Sequence, residues 1–241
     1  MAKKGQSRHL KRYAASKVLK LPRKSIVWMV KPAPGPHPSG ESIPLQLVVR
    51  EYLGLARTAR EGGRLLNEKH VLVDGRVRKD SKFPVGLMDV VQLPTLNKSY
   101  RVLLNTRRRL VLCDIPQEEA RFKLCKVVRK STISGARVQL AFNDGRTLAG
   151  DFGEFKLRDT AKLSLPDQKI LERIAFGNGV VALVTGGANV GKVGKIVEVK
   201  MIEGTQPNIV ILEAPDGTTF QTSEDYVFVV GKEKPIVTLA G

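Results

Sequence analysis

Between Ser99 and Val230 the chain offers apolar residues only in short runs, interrupted repeatedly by turn residues such as Ser134-Gly135, Asn143-Asp144-Gly145 and Pro215-Asp216-Gly217. Such segments are too short to present a continuous helical apolar face, so they must bury their side chains as strands in small sheets. Strands are expected at 99–104 and 110–113, joined through Asn105, Thr106 and the triple Arg107, Arg108, Arg109. Others are expected at 126–130, at 137–142 and in short pieces up to about residue 176. Pro116 starts a short helix with Glu118 and Glu119 in its first turn, where acids favour the positive end of the helix dipole. Strands at 180–185, 193–199, 209–213, 218–221 and 226–230 close a small C-terminal barrel.

Helical spacing is confined to an earlier stretch. From Ser42 to about residue 53, Leu45, Val48, Val49, Tyr52 and Leu53 fall on one face, and Gly54 ends the run. Thr58 with Glu61 three residues later is a capping box, predicting a second helix over 59–68. On it Arg60 and Arg64 share a face, with Arg57 just ahead of the cap. Val71 and Val73 then alternate into Asp74-Gly75, a strong hairpin signal that brings in Arg76, Arg78 and Lys79. MDVVQL at 88–93 supplies a further strand. Ahead of all this, KPAPGPHPS at 31–39 reads as an extended linker or a rigid track over a surface.

Charge narrows the partner. There are 41 Lys plus Arg against 23 Asp plus Glu, and the net +18 repels itself unless a polyanion lies nearby. Residues 1–40 hold ten cations and no acid, whereas 176–241 hold five against seven, so polyanion contact is expected to be heaviest at the amino end. Residues 1–31 read as a basic arm, with Lys3, Lys4, Arg8, Lys11, Arg12, Lys17, Lys20, Arg23 and Lys24 too frequent for a core of its own, so it is expected to order on RNA. Trp28, within the apolar run 26–30, calls for something to cover it. No run of 18 or more apolar residues exists, so neither membrane span nor signal peptide is expected.

Catalytic and cofactor chemistry find little purchase. Cys113 and Cys125, in strand-like and helix-like contexts, are expected to be reduced core residues, and His9, His37 and His70 do not cluster with them as zinc ligands would. Gly186, Gly191 and Lys192 fit a phosphate loop until its last place, where Val193 lacks the hydroxyl for Mg²⁺ and a strand follows instead of a helix. Asp114, Asp144 and Asp151 are lone acids better read as caps and turns. No metal, cofactor or small-molecule substrate is expected.

Two helices followed by the V-x-V-D-G hairpin resemble the small RNA-binding module named after bacterial ribosomal protein four. VTGGANVGKVGKIVEV at 184–199 resembles the KOW motif, with Gly191 and Gly194 at its glycine positions and Val190 where a basic residue is common, so phosphate contact there rests on Lys192 and Lys195. GQSRHLKRYAA, GPHP, EEARFKLCKV and YVFVVGKEKPIVTL extend the likeness to nearly the whole chain. It resembles the archaeal and eukaryotic e-type family of small-subunit ribosomal protein four, and its short carboxyl end looks archaeal.

That resemblance, with the residue pattern, implies a multidomain α+β fold. Residues 1–41 are the basic arm and linker, 42–98 the small α/β RNA-binding module, 99–175 a central β-rich domain and 176–241 an SH3-like KOW barrel with its tail. It implies a structural, non-enzymatic ribosomal protein of the cytoplasm. Such a protein binds small-subunit rRNA and neighbouring ribosomal proteins and supports subunit assembly and translation. RNA contact is expected from the nine arm cations with His9, from Arg57, Arg60, Arg64, Lys69, His70, Arg76, Arg78 and Lys79, and from Arg107, Arg108, Lys192 and Lys195. In the module's usual pattern the helical arginines stand where Ala59 and Gly63 are found here, one place before Arg60 and Arg64. The deep, narrow major groove of A-form RNA favours phosphate and shape recognition, and aromatic residues at 5% disfavour base stacking. The rival readings are an RNA-modifying enzyme, which needs a catalytic constellation, and a KOW transcription factor, which needs a polymerase partner.

Overall fold

The computed structural model describes residues 7, 9–135 and 137–239. Among them the fold is mostly β, with three five-stranded antiparallel sheets and a few short helices.

At the amino end, β1 (Leu10–Lys11) pairs antiparallel with β2 (Trp28–Met29), setting Lys11 opposite Trp28. Ala15, Val18, Leu19 and Met29 are buried in one cluster with Leu45, Val48 and Leu66. The expectation of an arm without a core is corrected here. Apolar residues between its cations share the next unit's core, so residues 10–29 are folded in place. The Pro-rich stretch is a track over a surface: the Ala33 amide donates to the Lys82 carbonyl at 2.9 Å, and no Cβ would fit at Gly86 beside the His37 ring.

β3 (Ile43–Pro44) pairs with β6 (Pro84–Val85). The first helix therefore starts at Leu45 and not at Ser42, because Pro44 is held extended at the cap. It runs as α1 (Leu45–Leu47), widens into a π turn over Val48–Tyr52, and gives way to Gly54 at φ +66°. α2 (Ala59–Asn67) starts at Thr58 with both capping-box hydrogen bonds formed. β4 (Leu72–Val73) and β5 (Arg76–Val77) flank Asp74-Gly75, whose φ values of 51° and 72° suit a tight hairpin.

β7 (Val90–Leu93), β8 (Lys98–Leu104) and β9 (Leu110–Ile115) continue the same sheet, in the order β5-β4-β7-β8-β9. The division drawn between residues 98 and 99 falls inside this continuous ladder. Glu119–Arg121 forms one 3₁₀ turn after Pro116.

The second sheet contains β10 (Phe122–Thr132), β11 (Val138–Phe142), β12 (Thr147–Gly150), β13 (Thr160–Ser164) and β14 (Ile170–Ile174), ordered β12-β11-β10-β13-β14. Cys125 lies in β10 and is buried, so its helix-like reading is corrected to strand; Cys113 lies in β9, and both thiols are free.

The third sheet, a half-barrel, holds β15 (Val181–Val184), β16 (Val193–Lys200), β17 (Ile209–Glu213), β18 (Thr219–Ser223) and β19 (Val227–Gly231), ordered β18-β17-β16-β15-β19. One apolar cluster, including Met88, Leu103, Leu124, Ile174 and Phe228, joins all three sheets. The tail closes over it, with Val237 buried and Thr238 donating to Glu119 Oε2 at 2.8 Å. No helix among the described residues is long and apolar enough to cross a membrane.

Candidate nucleic-acid interface

The capping box sets where α2 begins, and its start fixes the arginines. The Glu61 amide donates to Thr58 Oγ1 at 3.2 Å, and the Arg57 amide donates to Glu61 Oε2 at 2.9 Å. These hydrogen bonds satisfy helix-end donors with local groups and leave the side chains of Arg57, Arg60 and Arg64 exposed. Past the helix, Lys69 is exposed at φ 64°, while His70 lies 3.3 Å from Glu68 and 3.1 Å from Thr95 Oγ1. On the hairpin Arg76 and Lys79 are exposed, and Arg78 lies with its guanidinium 4.5 Å from the centre of the Phe83 ring.

A second basic cluster is assembled from three distant segments. The Leu110 amide donates to the Val18 carbonyl at 2.9 Å, which sets Lys17 and Lys20 beside the β8–β9 turn. Asn105 Oδ1 braces that turn by accepting from the amides of Arg107 and Arg109, at 3.1 and 2.9 Å, and Arg107, Arg108 and Arg109 all project into solvent. The glycine loop of the third sheet docks on the same turn. At Gly191, φ +80°, a Cβ would stand 2.5 Å from the Asn105 carbonyl carbon and oxygen. Val190 is buried in the core shared by the arm and the helices. The close approach this glycine permits is thus to the chain itself, and a basic residue at 190 would be buried without a partner. Lys192, next to the docked Gly191, is exposed with its Nζ 3.0 Å from Asn189 Oδ1 and 5.2 Å from the centre of the Phe220 ring, whereas Lys195 lies along β16 across from Glu213.

Some nominated residues do other work. Arg12 is corrected: it is 1% exposed, donates from Nε to the Pro22 carbonyl at 2.7 Å and pairs with Glu51 at 3.2 Å. It anchors the arm and presents no cation to a ligand. Arg23 is half-buried and donates to the carbonyls of Tyr13 and Ser16, while His9 packs at a tilt against Trp28. Lys11 and Lys24 are exposed. Lys3, Lys4 and Arg8 lie outside the described residues. Arg109, omitted from the expected contacts, is as exposed as its two neighbours.

The other cations are sorted by ion pairing. Among the described residues, Arg12 and His70 are the only nominated side chains within salt-bridge distance of an acid. The paired cations are chiefly interior or half-buried ones the sequence did not single out. Lys123, wholly buried, lies 3.0 Å from both Asp74 and Asp144 and also contacts Asp89. Arg146 bridges Asp74 and Asp144, and His37 Nε2 lies 3.0 Å from Asp89. Burial alone would push the carboxyls of Asp89 and Asp144 up, but Lys123 beside both, with His37 on the first and Arg146 on the second, holds them below the usual carboxylate range. Burial would likewise lower Lys123, yet Asp74 and Asp89 hold it well above an ordinary lysine. The cluster ties the linker, the first sheet and the second sheet together. What remains outside is an unneutralised cationic surface suited to a polyanion.

Comparison with known proteins agrees with this layout. Three family models match in order: the RS4NT (NUC023) domain over residues 4–39, the S4 domain over 43–91 and Ribosomal family S4e over 96–170. Small ribosomal subunit protein eS4 of Methanothermobacter thermautotrophicus is 46% identical over 241 residues, covering 100% of this chain and 99% of that protein. The protein of the same name from Methanocaldococcus jannaschii is 47% identical over 247 residues, covering 99% and 100%. The crystal structure of the 30S ribosomal protein S4e from Thermoplasma acidophilum superposes with a TM-score of 0.68 at 36% identity, over 80% of this chain and 96% of that one.

Proposed function

Since this chain belongs to the eS4 family of small ribosomal subunit proteins, we propose that it is a structural, non-enzymatic component of that subunit which holds small-subunit rRNA through its exposed cations. One observation carries the reading: among the described residues, Lys11, Lys17, Lys20 and Lys24 and the arginines on α2 and on the β8–β9 turn have no acid within salt-bridge distance, while the buried or half-buried Arg12, Lys123 and Arg146 are consumed by ion pairs. Free guanidiniums reach phosphates and 2′-hydroxyls on A-form RNA, and Arg57, Arg60, Arg64, Arg76, Arg107 and Arg108 offer the bidentate fork that suits phosphate. The third sheet and its Gly191 loop represent a KOW-type, SH3-like unit. Its half-barrel order and glycine loop support that finer reading, and its acidic balance suits neighbouring ribosomal proteins more than RNA.

The test is binding of the full chain to a small-subunit rRNA transcript over a salt series. The expected result is tight association at low ionic strength that falls steeply as salt rises. Absence of binding at low salt overturns the proposal. Charge substitutions are the right perturbation, because truncating residues 1–31 or 176–241 would strip buried residues such as Leu19 or Phe228 from shared cores.

A further inference from the structure

Trp28 is 55% exposed, Ile26 53%, Val27 63% and Tyr13 74%, although Met29, Ala15, Val18 and Leu19 close by are buried. The patch rests on a fixed base. The Arg12 amide donates to the Val27 carbonyl at 2.8 Å, Lys11 faces Trp28 across the ladder, and the buried Arg12 guanidinium fastens this strand pair to Glu51 in the first helical segment. The His9 ring lies 5.6 Å from the indole, centre to centre, and Arg23 Nη1 donates to the Tyr13 carbonyl at 3.1 Å. Lys11 and Lys24 are exposed nearby, and residues 1–40 contain no acid at all.

Large apolar side chains left exposed on and beside one short strand pair call for a cover. A protein partner would be expected to meet a patch depleted of charge at its centre. Here aromatic and aliphatic side chains are interleaved with cations along a segment that carries no acid of its own. An RNA strand matches both features, because each base offers a π face and each phosphate a negative charge. Resting on the function proposed above, we infer that Trp28 is a stacking platform for an unpaired base of the RNA, with Lys11 and Lys24 holding the flanking phosphates. This gives the chain a contact to a base, beyond the groove-shape and phosphate recognition expected from its composition.

Trp28 is the only tryptophan, so its emission reports on this contact alone. The full chain is titrated with a short single-stranded oligoadenylate and with a blunt RNA duplex of equal length, each dye-labelled so that anisotropy records binding independently. The single strand should quench Trp28 and shield it from acrylamide, and the duplex should do so much less. Trp28→Ala should weaken single-strand binding about tenfold and Trp28→Phe far less, both with an unchanged slope against log salt because no phosphate contact is lost. The inference is overturned if anisotropy shows binding while Trp28 emission stays constant and Trp28→Ala binds like the parent. It is equally overturned if emission responds only in particles containing other ribosomal proteins and not with naked rRNA. Should neither oligonucleotide nor rRNA bind at low ionic strength, the functional reading falls first and this inference with it.

Discussion

Replacing Lys123 by Met should cost about 3–5 kcal/mol of folding stability at pH 7, because it removes one partner of a buried ionic cluster and leaves charge uncompensated. Lys123 touches Asp74, Asp89 and Asp144; without it, Arg146 is the remaining cation for Asp74 and Asp144, and Asp89 keeps His37 and the Gly86 amide. Domains of ordinary stability have about 5–15 kcal/mol in total, so the change consumes a large fraction. The pH dependence identifies the cause. In the parent, Asp89 and Asp144 are held below their unfolded values, so their contribution is present above the unfolded pKa and drains as pH falls through the folded one. Lys123 is held above its unfolded value, so its contribution persists below that value and is lost only as pH rises through the folded one. In the variant, burial without the ammonium would raise the carboxyls, so folding would take up protons. The variant should therefore regain stability as pH falls from about 7 toward about 5, while the parent does not. Urea unfolding followed by circular dichroism at several pH values measures both curves. A loss below about 1 kcal/mol, or parallel curves, would refute the reasoning.

Neutralising Arg57, Arg60 and Arg64 together to Gln should lower the slope of log affinity against log salt by about two to three, near one per lost phosphate contact; an unchanged slope would mean that they do not meet phosphates. Gly191→Ala should cost about 2–4 kcal/mol in denaturant unfolding, since it combines a positive φ with a clash against Asn105. Gly217→Ala, at φ +77° with open space around it, should cost only about 1 kcal/mol, and equal losses would discount the docked turn. Lys126 is pushed down to about 8 by burial, with Arg158 adding to it, so the unfolded chain binds the extra proton and stability should climb by about 1–3 kcal/mol as pH rises from 8 to 10.5. Lys126→Met should abolish that climb in the same unfolding series.

Local signals were readable where local chemistry sets the structure. Thr58 with Glu61 located α2, Asp74-Gly75 located its hairpin, and the turn residues after Ser99 located most strands to within a few residues. The failures share a non-local cause. Ser42 looked like the start of the first helix, but pairing of Ile43 and Pro44 with β6 holds the chain extended there. Arg12 looked like one more arm cation, and only the fold brings Glu51 to it. Asp74 and Asp144 do occupy turns, as read, but their carboxylates also serve a cluster drawn from five segments. Lys123 sits in β10 among Leu124 and Cys125, all buried; a strand covered on both faces loses the alternation that would have marked Lys123 as interior. The free cations were legible because exposure needs no partner, whereas their gathering around Asn105 depends on contacts across nearly the whole sequence.

The unbroken ladder from β5 to β9 limits how the helical module can be used elsewhere. If it were excised at residue 98, β7 would lose β8 and present Val90–Leu93 as a bare edge, with unpaired amides and carbonyls beside largely apolar side chains. Such a fragment would invite strand-to-strand aggregation. A portable version of the RNA-binding unit would have to carry its cut at least beyond Ile115, taking the arginine turn along as part of its own framework.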